Sequence, residues 1–231
     1  MHRLQEAVQF CFGRLRAEVM ADLFADQQAD RQPETLAPNA PLADRLRPGT
    51  LDEVVGQEHL TGAEGAIGRM VAVGKLSSMI LWGPPGTGKT TIARLLAAAV
   101  GMRFVAISAV FSGVADLKKL FADARQVAKV GHRTLLFVDE IHRFNRSQQD
   151  GFLPYVEDGT VTLVGATTEN PSFELNAALL SRCQVLILRR LGHDALATLI
   201  ARAEAEVGRH LPVTDEARAA LIASADGDGR F

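Results

Sequence analysis

The sequence predicts an α/β fold in which a five-stranded parallel sheet lies between helices. From residue 42 onward, short apolar runs alternate with longer stretches of helical spacing. Each run is too short for a helix and is largely apolar on both faces, which is typical of strands inside a parallel sheet. A glycine-rich loop follows the first run and opens a helix. This repeated alternation of strand and helix favours a doubly wound core.

The elements follow from these runs in chain order. The five predicted strands are Met79–Trp82, Phe104–Ile107, Leu135–Val138, Val161–Ala166 and Val185–Leu188. The helical spacing between them predicts helices at Thr90–Val100 and Asp116–Val130.

Composition and periodicity divide the chain into three parts. Residues 25–41 are polar, contain proline and lack periodicity, so we predict that residues 1–41 form a largely disordered extension. The α/β core follows at residues 42–188. Only helical spacing remains in residues 189–231, which predicts the beginning of a small α-helical unit. Thr214 is the predicted N-cap of its second helix. The apolar face of its first helix consists of Leu196, Leu199, Ile200, Ala203 and Val207.

The bulk composition excludes several classes of protein. The formal net charge is -2, so any contact with nucleic acid must come from a local patch. Cys11 and Cys183 lie far apart and the six histidines are scattered, so no metal-ligand spacing is present. No apolar run approaches the ~18 residues that a membrane span needs. We therefore expect a reduced, cytoplasmic protein without a membrane partner.

The glycine-rich loop predicts a site for nucleotide phosphates. It fits G-x-x-x-x-G-K-[ST] at every fixed position, with a strand before it and a helix after it. Amides at the start of the helix face the phosphates, where the helix dipole favours negative charge. The lysine reaches the β- and γ-phosphates, and the threonine that follows it ligates Mg²⁺. The predicted site consists of Gly83, Pro84, Pro85, Gly86, Thr87, Gly88, Lys89, Thr90 and Thr91.

Two adjacent carboxylates follow the third predicted strand. Asp139 and Glu140 would lie at the carboxyl edge of the sheet, where open α/β sheets bind ligands. Asp139 is predicted to hold the magnesium shell, and Glu140 to orient or deprotonate the attacking water. Together with the loop, this pair predicts hydrolysis of ATP.

Further motifs resemble a known family. The segments GPPGTGKTT, VDE, GATT and LLSRC look like those of an AAA+ ATPase of the clamp-loader clade. The run from Asp139 to Cys183 is similar, almost residue for residue, to the bacterial replication-associated recombination protein A family, whose eukaryotic relative is the Werner-helicase-interacting ATPase. Phe144 and Asn145 separate it from the Holliday-junction branch-migration motor, which shares GATT and DEIHR. The resemblance covers residues 42–230.

The resemblance implies four further roles. Val54, Val55 and Gly56 would lie nearest the adenine. Thr168 would be sensor one, which responds to the γ-phosphate, with Asn170 as a second candidate for this role. Arg182 would be the arginine finger that completes a neighbouring subunit's site, an effect on the rate of about 10³–10⁵. Arg230 would be sensor two.

The resemblance also implies a biological role and partners. The family contains homo-oligomeric ATPases that are stimulated by forked, gapped or ended DNA and act at stalled replication forks in replication, recombination and repair. A sliding clamp and a single-stranded-DNA-binding protein are candidate partners, and Met20–Phe24 looks like a short clamp-binding segment.

One predicted helix offers a local surface for DNA. Lys118, Arg125 and Lys129 are spaced to lie almost in one line beside its apolar stripe. These cations could track a phosphate backbone rather than stack on bases, since the chain has one Trp, one Tyr and no interleaving of aromatic and basic residues. A solvated helix face explains the same pattern equally well.

Two alternative functions remain open. Members of the family normally have the sequence Gly-Asp-Ala-Arg at the position of Gly227–Arg230 and continue through a lid domain, whereas this chain ends at Gly227–Phe231. An ATP-binding fragment without efficient turnover would fit an incomplete lid, in which Gly229 also weakens a helix by about 1 kcal/mol relative to alanine. A branch-migration helicase motor shares the predicted fold and is the other alternative.

Overall fold

The computed structural model describes residues 41–230. Residues 1–40 and Phe231 lie outside this range. They include Cys11, Met20–Phe24 and almost all of the predicted extension at residues 1–41. The chain from Leu42 onward forms one compact unit. Within residues 41–230, no helix combines the length and the apolar character that a membrane span requires.

The predicted five-stranded parallel sheet is confirmed. The strands lie in the order β2-β3-β4-β1-β5, and every neighbouring pair is parallel. In the register, Met79 lies between Val164 and Gln184. The strands are β1 (Met79–Trp82), β2 (Arg103–Ser108), β3 (Thr134–Asp139), β4 (Val161–Thr167) and β5 (Gln184–Ile187).

The helices alternate with these strands as the periodicity predicts. Two short 3₁₀ turns at Leu51–Glu53 and Ile141–Arg143 accompany them. The α-helices are α1 (Leu42–Arg45), α2 (Glu58–Thr61), α3 (Ala66–Val73), α4 (Lys89–Ala99), α5 (Val114–Lys129), α6 (Arg146–Asp150), α7 (Leu153–Glu157), α8 (Pro171–Glu174), α9 (Ala177–Leu180), α10 (His193–Val207) and α11 (Asp215–Ala225).

The core has two layers, one on each face of the sheet. Successive residues of β1 enter different layers: Met79 and Leu81 pack with α4, whereas Ile80 packs with α5. Burial on both faces explains why the central strands are continuously apolar. The loop after β1 therefore follows a strand that is packed on both faces.

The prediction that the last strand is apolar because it is buried on both faces is wrong. Strand β5 lies at one edge of the sheet and pairs only with β1. Its residues Val185 and Ile187 are 39% and 54% exposed. Apolar composition alone could not distinguish this edge strand from a central one.

Helices α10 and α11 pack on each other after β5. Leu191, Leu196 and Ile222 form a small core between them. The predicted N-cap of α11 is confirmed, because the Thr214 hydroxyl accepts a hydrogen bond from the Ala217 amide at 3.2 Å. The predicted apolar face of α10 is wrong at its end, where Val207 is 48% exposed.

A carboxylate inside this helical pair stabilises it. Glu204 is buried on α10 and accepts hydrogen bonds from Arg218, from the Leu211 amide at 2.9 Å and from His210 at 3.2 Å. The bond from Arg218 contributes most to lowering the pKa of Glu204 to about 2. The ionised form of this side chain therefore favours the folded state.

Candidate functional site

The loop between β1 and α4 has the backbone shape that the glycine-rich motif predicts. Gly88, which immediately precedes α4, has φ of 94°, a left-handed conformation that favours glycine. Gly86 has φ of 68°, and a Cβ there would overlap a carboxylate oxygen of Asp228. A side chain at either position would therefore be strained, and at Gly86 it would also collide.

The lysine of this loop is buried and bound to backbone carbonyls. The Nζ atom of Lys89 donates to the carbonyl oxygens of Gly83 and Pro84, each at 2.7 Å. Burial lowers the pKa of Lys89, while the nearby Glu140 and Asp139 act in the opposite direction. Phosphate oxygens bind an ammonium group more strongly than neutral carbonyls do. Lys89 is thus held where an entering phosphate could replace its carbonyl partners.

The two predicted carboxylates face the same cleft as the loop. The cleft has a volume of about 420 Å³, and Thr90, Asp139 and Glu140 all line it. Glu140 has φ of 52°, although it is not glycine. A left-handed residue of this kind costs about 1–3 kcal/mol, and such strain clusters at active sites. The backbone therefore places Glu140 in the cleft at some expense of stability.

The donor atoms in the cleft fit a magnesium ion. Thr90 offers a hydroxyl oxygen and Asp139 a carboxylate oxygen, and Mg²⁺ prefers oxygen ligands. Within residues 41–230, no cluster of three or more His, Cys, Asp or Glu side chains could hold a metal by itself. This set suits an ion whose remaining ligands are water and substrate phosphates, as is usual for Mg²⁺.

The two candidates for sensor one differ in position. Thr168 follows β4 directly and lines the cleft. The Asn170 side chain instead accepts a hydrogen bond from the Ser172 amide at 3.0 Å and caps α8. The geometry therefore favours Thr168 over Asn170 for contact with a ligand.

A histidine that the sequence did not single out joins the ends of β3 and β4. His142 Nε2 lies 3.4 Å from Glu140 Oε2, and His142 Nδ1 lies 2.9 Å from the Thr167 hydroxyl. Only 8% of the His142 side chain is exposed. The signal available in the sequence was its position two residues after Glu140.

The segment predicted to lie against adenine packs on the start of the helical unit. Val54 and Val55 line the cleft, and Gly56 has φ of 76°. A Cβ on Gly56 would lie 2.8 Å from a methyl group of Leu191. Close approach as well as conformation therefore requires glycine at this position.

A buried glutamine that sequence reasoning missed fixes this segment. Gln57 is fully buried, and its Nε2 donates to the carbonyl oxygen of Arg189 at 2.7 Å. Its Oε1 accepts from the Arg189 amide at 3.1 Å. Nε2 also reaches the carbonyl oxygen of Thr87 at 3.5 Å. One side chain thus connects the glycine-rich loop with the residue after Leu188.

The last described residues close one side of the cleft. Arg230 lines it, and its Nη2 and Nε donate to the Asp228 carboxylate at 3.2 and 3.3 Å. The hydrogen bond from Arg230 lowers the pKa of Asp228. The predicted sensor two is therefore ordered by a residue that precedes it.

The expectation that Gly229 weakens a helix is wrong. Helix α11 ends at Ala225, and the Gly229 amide donates to the carbonyl oxygen of Gly86 at 3.2 Å. A Cβ on Gly229 would lie 2.9 Å from a methyl group of Leu191. Glycine there permits the close approach of the chain to the loop.

Arg182 does not line the cleft of its own chain. Its Nε lies 2.5 Å from Glu157 Oε1, and its Nη1 donates to the carbonyl oxygen of Ala178 at 2.7 Å. The structure therefore separates Arg182 from Lys89 and Glu140. An arginine finger that acts on a neighbour is compatible with this separation.

The three cations predicted to contact DNA differ in their surroundings. The Arg125 guanidinium lies 4.6 Å from the centre of the Tyr155 ring and 3.8 Å from Asp158. Lys118 and Lys129 are exposed, and neither forms an ion pair with another residue in the range 41–230. Arg125 is thus partly committed to the protein, whereas both lysines face solvent.

Comparisons with known proteins agree with this geometry. Residues 79–191 match the ATPase family associated with various cellular activities (AAA). The chain is 48% identical over 195 residues to replication-associated recombination protein A of Escherichia coli K12, which covers 82% of this chain and 44% of that protein. It is 45% identical to ATPase WRNIP1 of Dictyostelium discoideum, over 83% of this chain and 22% of that protein.

Solved structures show a more distant similarity. A single-residue variant of RuvB from Thermotoga maritima superimposes with a TM-score of 0.63 at 30% identity, over 80% of this chain and 62% of that one. The chain spans less than half the length of the curated relatives it matches, such as 44% of the Escherichia coli protein.

Proposed function

The chain belongs to the replication-associated recombination protein A family of AAA+ ATPases. From this family we propose that the chain hydrolyses ATP and that ATP hydrolysis is coupled to the binding of DNA. The observation that carries the proposal is the convergence of five side chains on one cleft. They are Lys89, Thr90, Asp139, Glu140 and Arg230.

The chain's own residues can bind ATP in a defined orientation. Val54 and Val55 line the cleft and would contact the base. The amides of the glycine-rich loop, at the N-terminus of the 11-residue helix α4, would donate to the phosphates. Lys89 would exchange two carbonyl partners for phosphate oxygens.

Glu140 is the proposed general base. Its carboxylate would accept a proton from water as the water attacks the γ-phosphorus, while Thr168 donates to a phosphate oxygen. Thr90 and Asp139 would hold Mg²⁺, which supplies charge neutralisation at the β- and γ-phosphates. Arg230 and an Arg182 from a neighbouring subunit would stabilise the negative charge of the transition state.

The DNA role rests on the names of the relatives and on surface charge. Two proteins named for replication-associated recombination, from Escherichia coli K12 and Coxiella burnetii, are 48% and 50% identical to this chain. We propose that forked, gapped or ended DNA is the partner and that Lys118 and Lys129 contact its phosphates. Assembly into a homo-oligomer, contact with a sliding clamp and contact with a single-stranded-DNA-binding protein belong to the same proposal.

A second candidate is ATP binding with slow turnover by the single chain. The position of Arg182 outside its own cleft favours it, because an isolated subunit then lacks one cation of the catalytic set. The branch-migration motor is less favoured, since the identity to RuvB is 30% against 48% for the recombination protein.

Fluorescence and turnover test the proposal together. Trp82, the only tryptophan, directly precedes Gly83 and should report ATP binding. We expect Lys89→Ala to abolish binding, with Lys75→Ala, an exposed lysine, as the matched control. Glu140→Gln should keep ATP affinity and stop turnover, because the amide fills the same space and cannot accept the proton. Normal ATP binding by Lys89→Ala would disprove the assignment of the cleft.

A further inference from the structure

A chain of polar contacts runs from the end of β4 to the carboxylate of Glu140. The Glu169 amide donates to the Thr167 hydroxyl at 3.0 Å. That hydroxyl lies 2.9 Å from His142 Nδ1 and 3.2 Å from the carbonyl oxygen of Glu169. His142 Nε2 then faces Glu140 Oε2 at 3.4 Å. The chain begins at the residue next to Thr168 and ends at the proposed general base.

The donors and acceptors along this chain exclude one of the two neutral tautomers of His142. An ionised carboxylate only accepts, so His142 Nε2 must carry a hydrogen towards Glu140. If the imidazole is neutral, Nδ1 accepts from the Thr167 hydroxyl. If it is charged, Nδ1 donates to that hydroxyl, which then rotates to donate to the Glu169 carbonyl. The buried hydroxyl of Thr167 satisfies both states, and only the neutral form with hydrogen on Nδ1 is excluded.

We infer that His142 is a positioning residue that orients the carboxylate of Glu140 and couples it to the backbone beside Thr168. The inference rests on the proposed function, in which Glu140 activates water. His142 engages Oε2 and leaves Oε1 for the water. The 3.4 Å contact is long for a hydrogen bond, and catalytic contacts of this kind often shorten when substrate binds.

The surroundings explain why Glu140 needs such a partner. Its side chain is 30% exposed, and among residues 41–230 its one ion-pair contact is His142. Its backbone is held in the left-handed conformation, but this constraint does not determine where the carboxylate points. A misplacement of about 1 Å can cost about 10²-fold in rate. His142, 8% exposed and bonded to the fully buried Thr167, supplies the missing constraint.

The first test separates binding from turnover. We expect His142→Ala to lower kcat by about tenfold to a hundredfold, while ATP affinity from Trp82 fluorescence changes by less than about twofold. His142→Gln should recover much of kcat, because its amide can donate to Glu140 and accept from Thr167. Thr167→Val should lower kcat in the same way, and Thr167→Ser, which keeps the hydroxyl, should recover much of that loss. His132→Ala, at an exposed histidine, is the matched control.

Nitrogen-15 NMR of the histidine rings provides a readout that does not depend on turnover. We expect the hydrogen of His142 on Nε2, in the wild type and in Glu140→Gln. A neutral ring with its hydrogen on Nδ1 would overturn the inference. So would an unchanged kcat in His142→Ala, a parallel loss of kcat and ATP affinity, or no recovery in His142→Gln. Absence of turnover in the wild type under all conditions, with ATP bound, would instead refute the proposed function.

Discussion

Gln57 provides the sharpest test of how the cleft is assembled. Replacing it with alanine removes two hydrogen bonds to the Arg189 backbone, at 2.7 and 3.1 Å, from a fully buried side chain. Each such bond contributes about 0.5–1.5 kcal/mol net, so their loss alone costs about 1–3 kcal/mol. The contact with Thr87, at 3.5 Å, lies at the limit of hydrogen bonding and adds little. We therefore expect the free energy of unfolding to fall by about 1–3 kcal/mol.

Urea unfolding measures this loss directly. Gln126→Ala, at an exposed glutamine of α5, is the matched control and should change stability by less than about 0.5 kcal/mol. Gln57→Glu keeps the size of the side chain but places a carboxylate against the carbonyl oxygens of Arg189 and Thr87, so it should destabilise the chain at neutral pH as well. A loss below about 0.5 kcal/mol for Gln57→Ala would refute the reasoning that this amide fixes Arg189.

Three further predictions follow from other contacts. Arg182→Ala should reduce turnover by about 10³-fold or more and leave ATP affinity intact. If Arg182 acts on a neighbouring subunit, mixing Arg182→Ala subunits with Lys89→Ala subunits should restore activity. No recovery in the mixture would contradict that arrangement. Gly229→Ala should lower the free energy of unfolding by about 1 kcal/mol, because its Cβ would lie 2.9 Å from Leu191 and 3.1 Å from the Gly86 carbonyl oxygen. A more stable variant in the same urea titration would contradict this, because it would show that these neighbours move away at no cost. The pKa of Glu204 is lowered to about 2, so we expect its contribution to stability to be complete above its unfolded pKa of about 4.3 and to be lost as the pH falls towards 2. Glu204→Gln should flatten this part of the pH profile, and an unchanged profile would show that Glu204 is not its cause.

The parts of the site that the sequence predicts are those encoded over a few adjacent residues. Lys89 and Thr90 belong to one contiguous loop, and Asp139 and Glu140 end one apolar run. The motif therefore specifies both the residues and their place at the edge of the sheet. Their convergence on one cleft needed only the assumption of a parallel sheet.

The parts that the sequence could not predict depend on distant partners. Gln57 meets Arg189, which lies 132 positions later, so nothing local marks it as buried. His142 meets Thr167 across 25 positions. Helix propensity alone marks Gly229 as unfavourable, whereas its contact with Gly86 decides its role. Each of these depends on how separate elements pack, which periodicity does not reveal.

The exposed edge of β5 affects how the purified protein should behave at high concentration. An edge strand offers unpaired backbone groups on which a strand of another molecule can add, and apolar side chains such as Val185 and Ile187 strengthen that tendency. His59 counters it at one point, because its Nε2 donates to the carbonyl oxygen of Ile187 at 3.0 Å. Storage, labelling and crystallisation of this chain therefore depend on Val185 and Ile187, which do not line the cleft. Val185→Thr would keep the β-branched shape that suits a strand and would make this edge less prone to aggregation.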